Sequence, residues 1–397
     1  MKLPVYMDYH ATTPVDPRVV EAMLPYFTEM YGNAASKQHQ FGWIAESAVE
    51  SSRVSVAKAI GADPRDIVFT SGATESNNLA IKGIAQMWKH KGNHIITALT
   101  EHKSVLDSCK SLEKAGWQVT YLPVDQFGLI DHDRLRESIT PKTILVSLMI
   151  ANNEIGTIQD IKSIGEICRT RGVFFHTDAT QAIGKIPVNI RDMNVDLLSL
   201  TGHKVYGPKG VGALYVRSSN PKVKLTSQMD GGGHEHGIRS GTLNVPSIVG
   251  LAKAIEISMQ EMEEESQRLF TFREKMWKSF TTELDEVYLN GHPTQRLPNN
   301  LNVSFHSVED NVLLMSMKDV AVSTGSACST ANPEPSHVLQ ALRIPRERLH
   351  SAIRFGLGRF TTEEEVNYVI NRVVENVRKL RELSPSYRVT NEHSVSP

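Results

Sequence analysis

Lys204 lies in the run Ser199-Leu200-Thr201-Gly202-His203-Lys204-Val205-Tyr206-Gly207, directly after an apolar stretch (residues 195–200) that reads as a short buried strand. A lysine at the mouth of a buried strand is costly to desolvate, and burial lowers its pKa toward the range where the neutral amine is a nucleophile. Such an amine can form a Schiff base with a carbonyl compound, the aldehyde of pyridoxal phosphate (PLP) included. Taken alone, the residue reads more simply as a lysine snorkelling to the surface.

Other strand ends carry groups that would complement such a ring. The turn Thr70-Ser71-Gly72-Ala73-Thr74-Glu75 joins a strand to a helix, and its small residues and helix N-terminus suit a phosphate; Thr74 as a plain N-cap is the ordinary alternative. Asp178 follows Phe174-Phe175-His176-Thr177 and, as a buried carboxylate, wants a cationic partner such as a protonated pyridine nitrogen, unless it merely caps a helix. Gln181, three residues on, could reach the ring's phenolic oxygen. His102, in Glu101-His102-Lys103, could stack on a ring and shuttle protons. Asn152-Asn153-Glu154 again follows a strand and could bond a substrate or ring oxygen. Each feature is ordinary by itself, but their joint occurrence points to a PLP site. Nucleotide motifs fail: there is no Gly-Lys-Ser/Thr ending, and Gly207-Pro208-Lys209-Gly210-Val211-Gly212 has its glycines in the wrong order and precedes a strand. Gly233-His234-Glu235-His236 is a poor zinc motif without further ligands.

To converge, these residues need strands that end on one edge. Strands are predicted at residues 66–70, 94–98, 118–123, 143–149, 173–178, 196–200 and 212–216, with helical periods between several of them, as at 75–89, 104–115 and 161–171. That alternation predicts an α/β fold with a mainly parallel sheet flanked by helices, its ligand site outside the carboxyl ends of the strands. Earlier helices are predicted at 17–30 and 42–60, after an extended arm (1–14). A charged helical connector spans about 246–280. Beyond it, short strands (287–289, 301–305, 321–323, 351–355) mix with helices (308–317, 335–342, 362–383), which reads as a smaller α+β domain. The expected division is a large domain of residues 15–261 and a small one of 1–14 with 262–397.

The 397 residues, 40% hydrophobic and 22% charged, allow an ample core, and a net charge of -1 offers no global field for nucleic acid or an anionic membrane. No apolar run approaches membrane-spanning length, and the N-terminus lacks a signal-peptide core, so a cytoplasmic protein is expected. Three cysteines are too few for a disulfide framework: Cys109 and Cys168 fall in helical patterns, while Cys328 lies in a stretch of small residues over 323–333, expected to be a mobile exposed loop and unsuited to a core thiol.

Taken together, Ser71-Gly72-Ala73-Thr74-Glu75-Ser76, Glu101-His102-Lys103, Asn152-Asn153-Glu154-Ile155-Gly156, Asp178-Ala179-Thr180-Gln181, Gly202-His203-Lys204, Arg239-Ser240-Gly241-Thr242 and Ser326-Ala327-Cys328 resemble the PLP-dependent cysteine desulfurases of the class V aminotransferase fold, fold type I. The likeness is closest to the housekeeping type of iron–sulfur-cluster assembly and runs from Leu3 to about Pro385. It implies that Lys204 holds PLP in Schiff-base linkage and moves the substrate's Cα proton, and that His102 stacks on the ring as acid/base. Asp178 would pair with the pyridine nitrogen and Gln181 with the phenolic oxygen. Ala73, Thr74, Thr201, Gly202 and His203 would hold the phosphate, joined by Thr242 from the second subunit of a homodimer. Asn153 and Arg354 would bind the carboxylate of L-cysteine; a planar guanidinium suits that task on its own chemistry. Cys328 would attack the substrate sulfur, carry a persulfide and release L-alanine. The implied acceptors are an iron–sulfur scaffold protein, with Cys328 a transient cluster ligand, and tRNA-thiolation proteins. A selenocysteine lyase or another class V PLP enzyme is the alternative.

Thr201 stands where serine is commoner in the family, His10 where a smaller residue is expected, and the tail after Pro385 departs from the usual C-terminus that helps dock the scaffold.

Overall fold

The computed structural model describes residues 1–219, 222–324 and 335–383. In chain order, β1 (Val5–Tyr6) precedes helices α1 (Pro17–Met23), α2 (Pro25–Thr28) and α3 (Gln40–Ile60). The alternating part comes next: β2 (Ile67–Thr70), α4 (Ala73–Trp88), β3 (His94–Ala98), α5 (Lys103–Lys114), β4 (Gln118–Leu122), α6 (His132–Ser138), β5 (Thr143–Ser147), α7 (Ile161–Arg171), β6 (Phe174–Asp178), β7 (Leu197–Thr201) and β8 (Gly212–Val216). Then come α8 (Val245–Glu283), β9 (Val287–Leu289), β10 (Asn300–Phe305), α9 (Asp310–Ser316), β11 (Val320–Ala321), α10 (His337–Ala341), α11 (Arg346–Leu349), β12 (Ala352–Gly356) and α12 (Glu363–Leu383).

Seven strands form one sheet in the order β2-β8-β7-β6-β5-β3-β4. All pairs are parallel except those of β8, which runs antiparallel to β2 and β7. The carboxyl ends of β2, β3, β5, β6 and β7 therefore share one edge, as the alternation of strand and helix predicts. Successive residues of each strand serve opposite cores, because side chains alternate across the sheet. Ile67, Phe69, Ile96, Val146, Leu198, Leu200, Ala213 and Tyr215 join the core shared with α3, α7 and α8. Val68, Ile95, Leu145, Leu197, Leu214 and Val216 join the one beneath α4 and α5. Burial on both faces explains why the strands read as continuous apolar runs.

A third core lies around the antiparallel sheet β12-β10-β9. Phe305 and Phe355 meet Phe280 of α8 there, with Val366, Val369, Val373 and Val377 of α12 closing over them. The N-terminal arm enters this core through Val5 and Met7, and β1 pairs with β11. One helix, α8, thus contributes its first half to the large core and its second half to the small one.

The structure differs from the sequence expectation in a few elements. The helix expected over 17–30 is two short ones, because Pro25 has no N–H to continue the ladder and opens α2 instead. The α3 helix starts at Gln40, since His39 accepts the Gly42 amide as an N-cap. Helix α6 was not expected; Asp131 caps it by accepting the amides of Asp133 and Arg134. The strand expected over 321–323 is Val320–Ala321. Cys109 and Cys168 are buried, as their helical patterns imply. Among the described residues no helix is long and apolar enough to cross a membrane. The fully buried Phe280, at the centre of the small core, tests its cohesion. Phe280→Ala should cost about 3–5 kcal/mol in denaturant unfolding, the range for deleting a buried phenyl group.

Candidate active site

After β7 a single 3-10 turn, Gly202–Lys204, brings Lys204 to the shared strand edge. Its Nζ donates to the carbonyls of His10 and Ala11, each at 2.5 Å, so the N-terminal arm lies across the lysine. Desolvation, together with the nearby cations Lys185 and Arg354, lowers its pKa to about 7, against the opposing pull of Asp8 and Asp178. Although part of the side chain reaches solvent, the charged end is the part enclosed. The buried-amine expectation holds, and the snorkelling alternative does not.

Beside it, helix α4 opens at Ala73 with Gly72 as its N-cap, at φ +148°, and without a side-chain cap. Thr74 is inside the helix and is not its cap. Pairing of Gly212 with both Thr70 and Thr201 sets the α4 turn against the end of β7. A Cβ at Gly212 would stand 2.7 Å from the Gly72 Cα, so only glycine permits that approach. A side chain at Gly72 would be 3.6 Å from Thr201 Oγ1, and that hydroxyl donates to the Val211 carbonyl. His203 Nδ1 lies 3.2 Å from Thr12 Oγ1, and burial pushes its pKa down to about 4, leaving a neutral imidazole. Ala73 and Thr74 therefore open a helix N-terminus without a side-chain cap, which Thr201 adjoins, with Gly202 and His203 in the turn that follows Thr201.

Asp178 ends β6 and is buried, yet it forms no salt bridge among the described residues. Its oxygens accept from the Thr180 amide at 2.9 Å and from Asn77 Nδ2 at 2.8 Å. Asn77 also donates to Ser104 Oγ at 2.8 Å, and that hydroxyl lies 2.8 Å from His102 Nδ1. The His102 ring opens to the cleft, but its walls desolvate it enough to lower its pKa, with Lys204 adding to the effect.

Gln181 faces the arm. Its Oε1 accepts from His10 Nδ1 at 2.9 Å and from Lys185 Nζ at 3.3 Å, while its Nε2 donates to the His10 carbonyl at 3.1 Å. With the oxygen doubly engaged, what the amide has left to offer is an N–H. The buried His10 imidazole is thus accounted for: it fixes Gln181, and burial holds it neutral.

Arg354, on β12, is buried and donates to Asp8 Oδ1 at 2.8 Å and to the backbone carbonyl of Asn153 at 2.9 Å; its Nε has no hydrogen bond. Next to Asn153, the Glu154 carboxyl bonds the Ser336 hydroxyl, and burial raises its pKa to about 7. Cys328 and the expected 323–333 loop fall largely outside the described residues; of that stretch, Ser323 bridges to Arg354. Thr242 is exposed and makes no hydrogen bond to the cleft of its own chain among the described residues. Glu235 of the His-Glu-His motif is consumed by a buried ion pair with Arg53, both oxygens at 2.8 Å, and by the Phe69 amide. Among the described residues no group of His, Cys, Asp and Glu could hold a metal ion.

Asn77, Ser104, Asp8 and Ser336 are the site residues that sequence reasoning missed. Asn and Ser types carry no signal by themselves, and their partners are remote in sequence. The residues present fit PLP: an amine of lowered pKa, an uncapped helix N-terminus for a phosphate, and a buried carboxylate that lacks a cation.

Lys204 makes stability depend on pH. Unfolded lysine keeps its proton to about pH 10.4, whereas the folded residue loses it near pH 7. Between those values the unfolded chain binds more protons, so stability of the cofactor-free protein should rise with pH from about 7 to about 10. Lys185, lowered to about 8, acts in the same sense. In Lys204→Met, denaturant midpoints measured across that window should show a shallower rise.

The comparisons with known proteins agree with this geometry. The profile of the family Aminotransferase class-V matches residues 5–369. A protein named cysteine desulfurase IscS from Anaeromyxobacter sp. (strain Fw109-5) is 58% identical over 392 residues, covering 99% of this chain and 97% of its own. One of the same name from Rickettsia massiliae is 54% identical, covering 99% and 95%. A solved NifS-like protein superposes with a TM-score of 0.87 at 38% identity, covering 94% of this chain and 98% of its own. A structure described as SspA in complex with cysteine has a TM-score of 0.79, also at 38% identity, covering 90% and 100%. By its shared-edge lysine and carboxylate, and by likeness along almost its whole length, the chain belongs to the class V aminotransferase family and, within it, to the PLP-dependent cysteine desulfurases.

Proposed function

We propose that the chain removes sulfur from L-cysteine, leaving L-alanine and carrying the sulfur as a persulfide on Cys328. The observation that carries this is the gathering of Lys204, Asp178, His102 and the open α4 N-terminus on one sheet edge, facing Arg354. When bound, PLP supplies an electron sink at the substrate's Cα. The chain's own residues do the rest. Lys204 Nζ, about half neutral at pH 7, would hold the cofactor's aldehyde carbon and take the substrate's Cα proton. Asp178 offers its unpaired negative charge to a pyridine nitrogen, and Gln181 an N–H to the phenolic oxygen. His102 lies over the ring and presents an N–H there, and Ala73, Thr74, Thr201, Gly202 and His203 hold the phosphate. Asn153 and Arg354 take the substrate carboxylate, Asp8 being the resting partner of the guanidinium. In the net reaction the carbon–sulfur bond breaks and the carbon gains a proton. The sulfur bonds to Cys328 as S–S–H, so atoms and electrons balance without an added oxidant.

A homodimer suits the large exposed apolar face near α1 to α3, where Leu24, Phe27, Tyr31 and Trp43 are 55–64% exposed. Such a partner would let Thr242 serve the neighbouring phosphate site. On this reading residues 15–261 form a large, cofactor-holding unit, and residues 1–14 with 262–397, which include Arg354, form a small one that grips the substrate. Transfer to an iron–sulfur scaffold or tRNA-thiolation proteins, in the cytoplasm, completes the reading.

The purified chain with PLP and L-cysteine should give alanine and persulfide in equal amounts on the first turnover. Lys204→Ala should lose the cofactor's visible band and all alanine formation, and Cys328→Ser should lose the persulfide. Full activity in either variant would sink the assignment, and a large preference for selenocysteine would favour the lyase alternative. Replacing the forked guanidinium in Arg354→Lys should raise KM for cysteine by roughly tenfold or more, about 1.4 kcal/mol of lost carboxylate binding.

A further inference from the structure

The protons around His102 can be placed one by one. Its Nδ1 lies 3.1 Å from the backbone amide of Ser104, and an amide N–H can only donate. Nδ1 is therefore the bare nitrogen, and the neutral ring carries its proton on Nε2. The Ser104 hydroxyl, 2.8 Å from the same Nδ1, must then donate to it as well. That leaves the hydroxyl's lone pairs to accept, and one takes an N–H of Asn77 at 2.8 Å. The other N–H of Asn77 goes to Asp178 Oδ2 at 2.8 Å. The amide cannot be turned over, because its oxygen would then face a carboxylate. Asn77 holds this orientation although its Oδ1 is buried without a hydrogen bond, a costly omission that the two donated bonds must outweigh.

We infer that Ser104 and Asn77 are positioning residues which, from Asp178, hold His102 as its neutral Nε2–H tautomer, so that the imidazole enters the reaction as a hydrogen-bond donor and not as a base. A proton arriving at Nδ1 would meet two donors already aimed at that atom. Uptake of the substrate's Cα proton then falls to Lys204, whose amine has no such obstacle. The charged and titratable groups facing His102 are Asp178, Asp107, Lys204 and His337, and none of them hydrogen-bonds its ring. The inference rests on the proposed function, in which His102 lies over the cofactor.

The test is a long-range proton–nitrogen NMR spectrum of the PLP-loaded full-length enzyme labelled with 15N-histidine, with His102 assigned by its loss in His102→Gln. At neutral pH His102 should show a protonated Nε2 and a bare Nδ1. In Ser104→Ala and in Asn77→Ala the two nitrogen shifts should move toward each other, and Ser104→Thr should restore them. Alanine formation in Ser104→Ala should fall about fivefold in kcat, the equivalent of one hydrogen bond of about 1 kcal/mol, with KM little changed. A proton on Nδ1 in the unsubstituted enzyme, or shifts unmoved in both variants, would overturn the inference. Full alanine formation by His102→Gln would instead remove the role of His102 in desulfuration. The tautomer is read without turnover, so the two failures are separable.

Discussion

The cleft is built on the cost of an ammonium group placed where water cannot fully reach it. Lys204 shares its surroundings with Lys185 and Arg354, and both make its charge less favourable. Asp8 and Asp178 offset this only in part. Asp8 is engaged by Arg354, and Asp178 is satisfied by an amide and a backbone N–H, not by a cation. The site therefore holds more cationic groups than its carboxylates neutralise. A ligand bearing a phosphate and a substrate bearing a carboxylate both relieve that imbalance, and a half-neutral amine is the reactive form that capture of a carbonyl requires.

The fold supplies the enclosure by register. Three strand ends meet through Gly212, which pairs with Thr70 on one side and Thr201 on the other. The N-terminal arm then closes the floor. Thr13 bonds the His203 carbonyl and the Tyr206 amide, Asp16 takes Arg18 and Arg359, and Arg359 lies over Tyr206 while pairing with Glu265. Because the same arm adds Val5 and Met7 to the small core, the piece that covers Lys204 also ties the two cores together.

Much of this was legible in the sequence, and the parts that were not share a physical reason. Buried strands on both faces of a sheet produce long apolar runs, so the strand ends and the groups after them, Asp178, His102 and Lys204, could be read directly. The exposed turns that re-aim the chain could not: the break at Pro25 and the cap at His39 depend on which amides need a partner. Asn77, Ser104 and His10 act through bonds to residues 27, 101 and 171 positions away, and no local pattern reports such distances. His10 drew notice only as a residue larger than expected, and its purpose needed Gln181 beside it. At Thr74 the ordinary alternative falls away, since this good capping residue lies within the helix and the cap falls to Gly72, which leaves the N-terminus open for an anion.

The bonds that Lys204 makes at rest bear on how it can take up a carbonyl. An ammonium has three protons to donate, and two go to the carbonyls of His10 and Ala11. Once Nζ is bonded to carbon it cannot serve both, so cofactor capture removes donors from the arm. The arm does not depend on them alone. The His10 carbonyl also accepts from Gln181, and the His10 ring donates to the same amide, so two bonds between these residues hold the backbone in place. Gln181 is in turn anchored by Lys185, whose own lowered pKa marks how tightly that corner is enclosed. The imidazole at position 10 therefore lets the lysine change partners without releasing the arm that covers it.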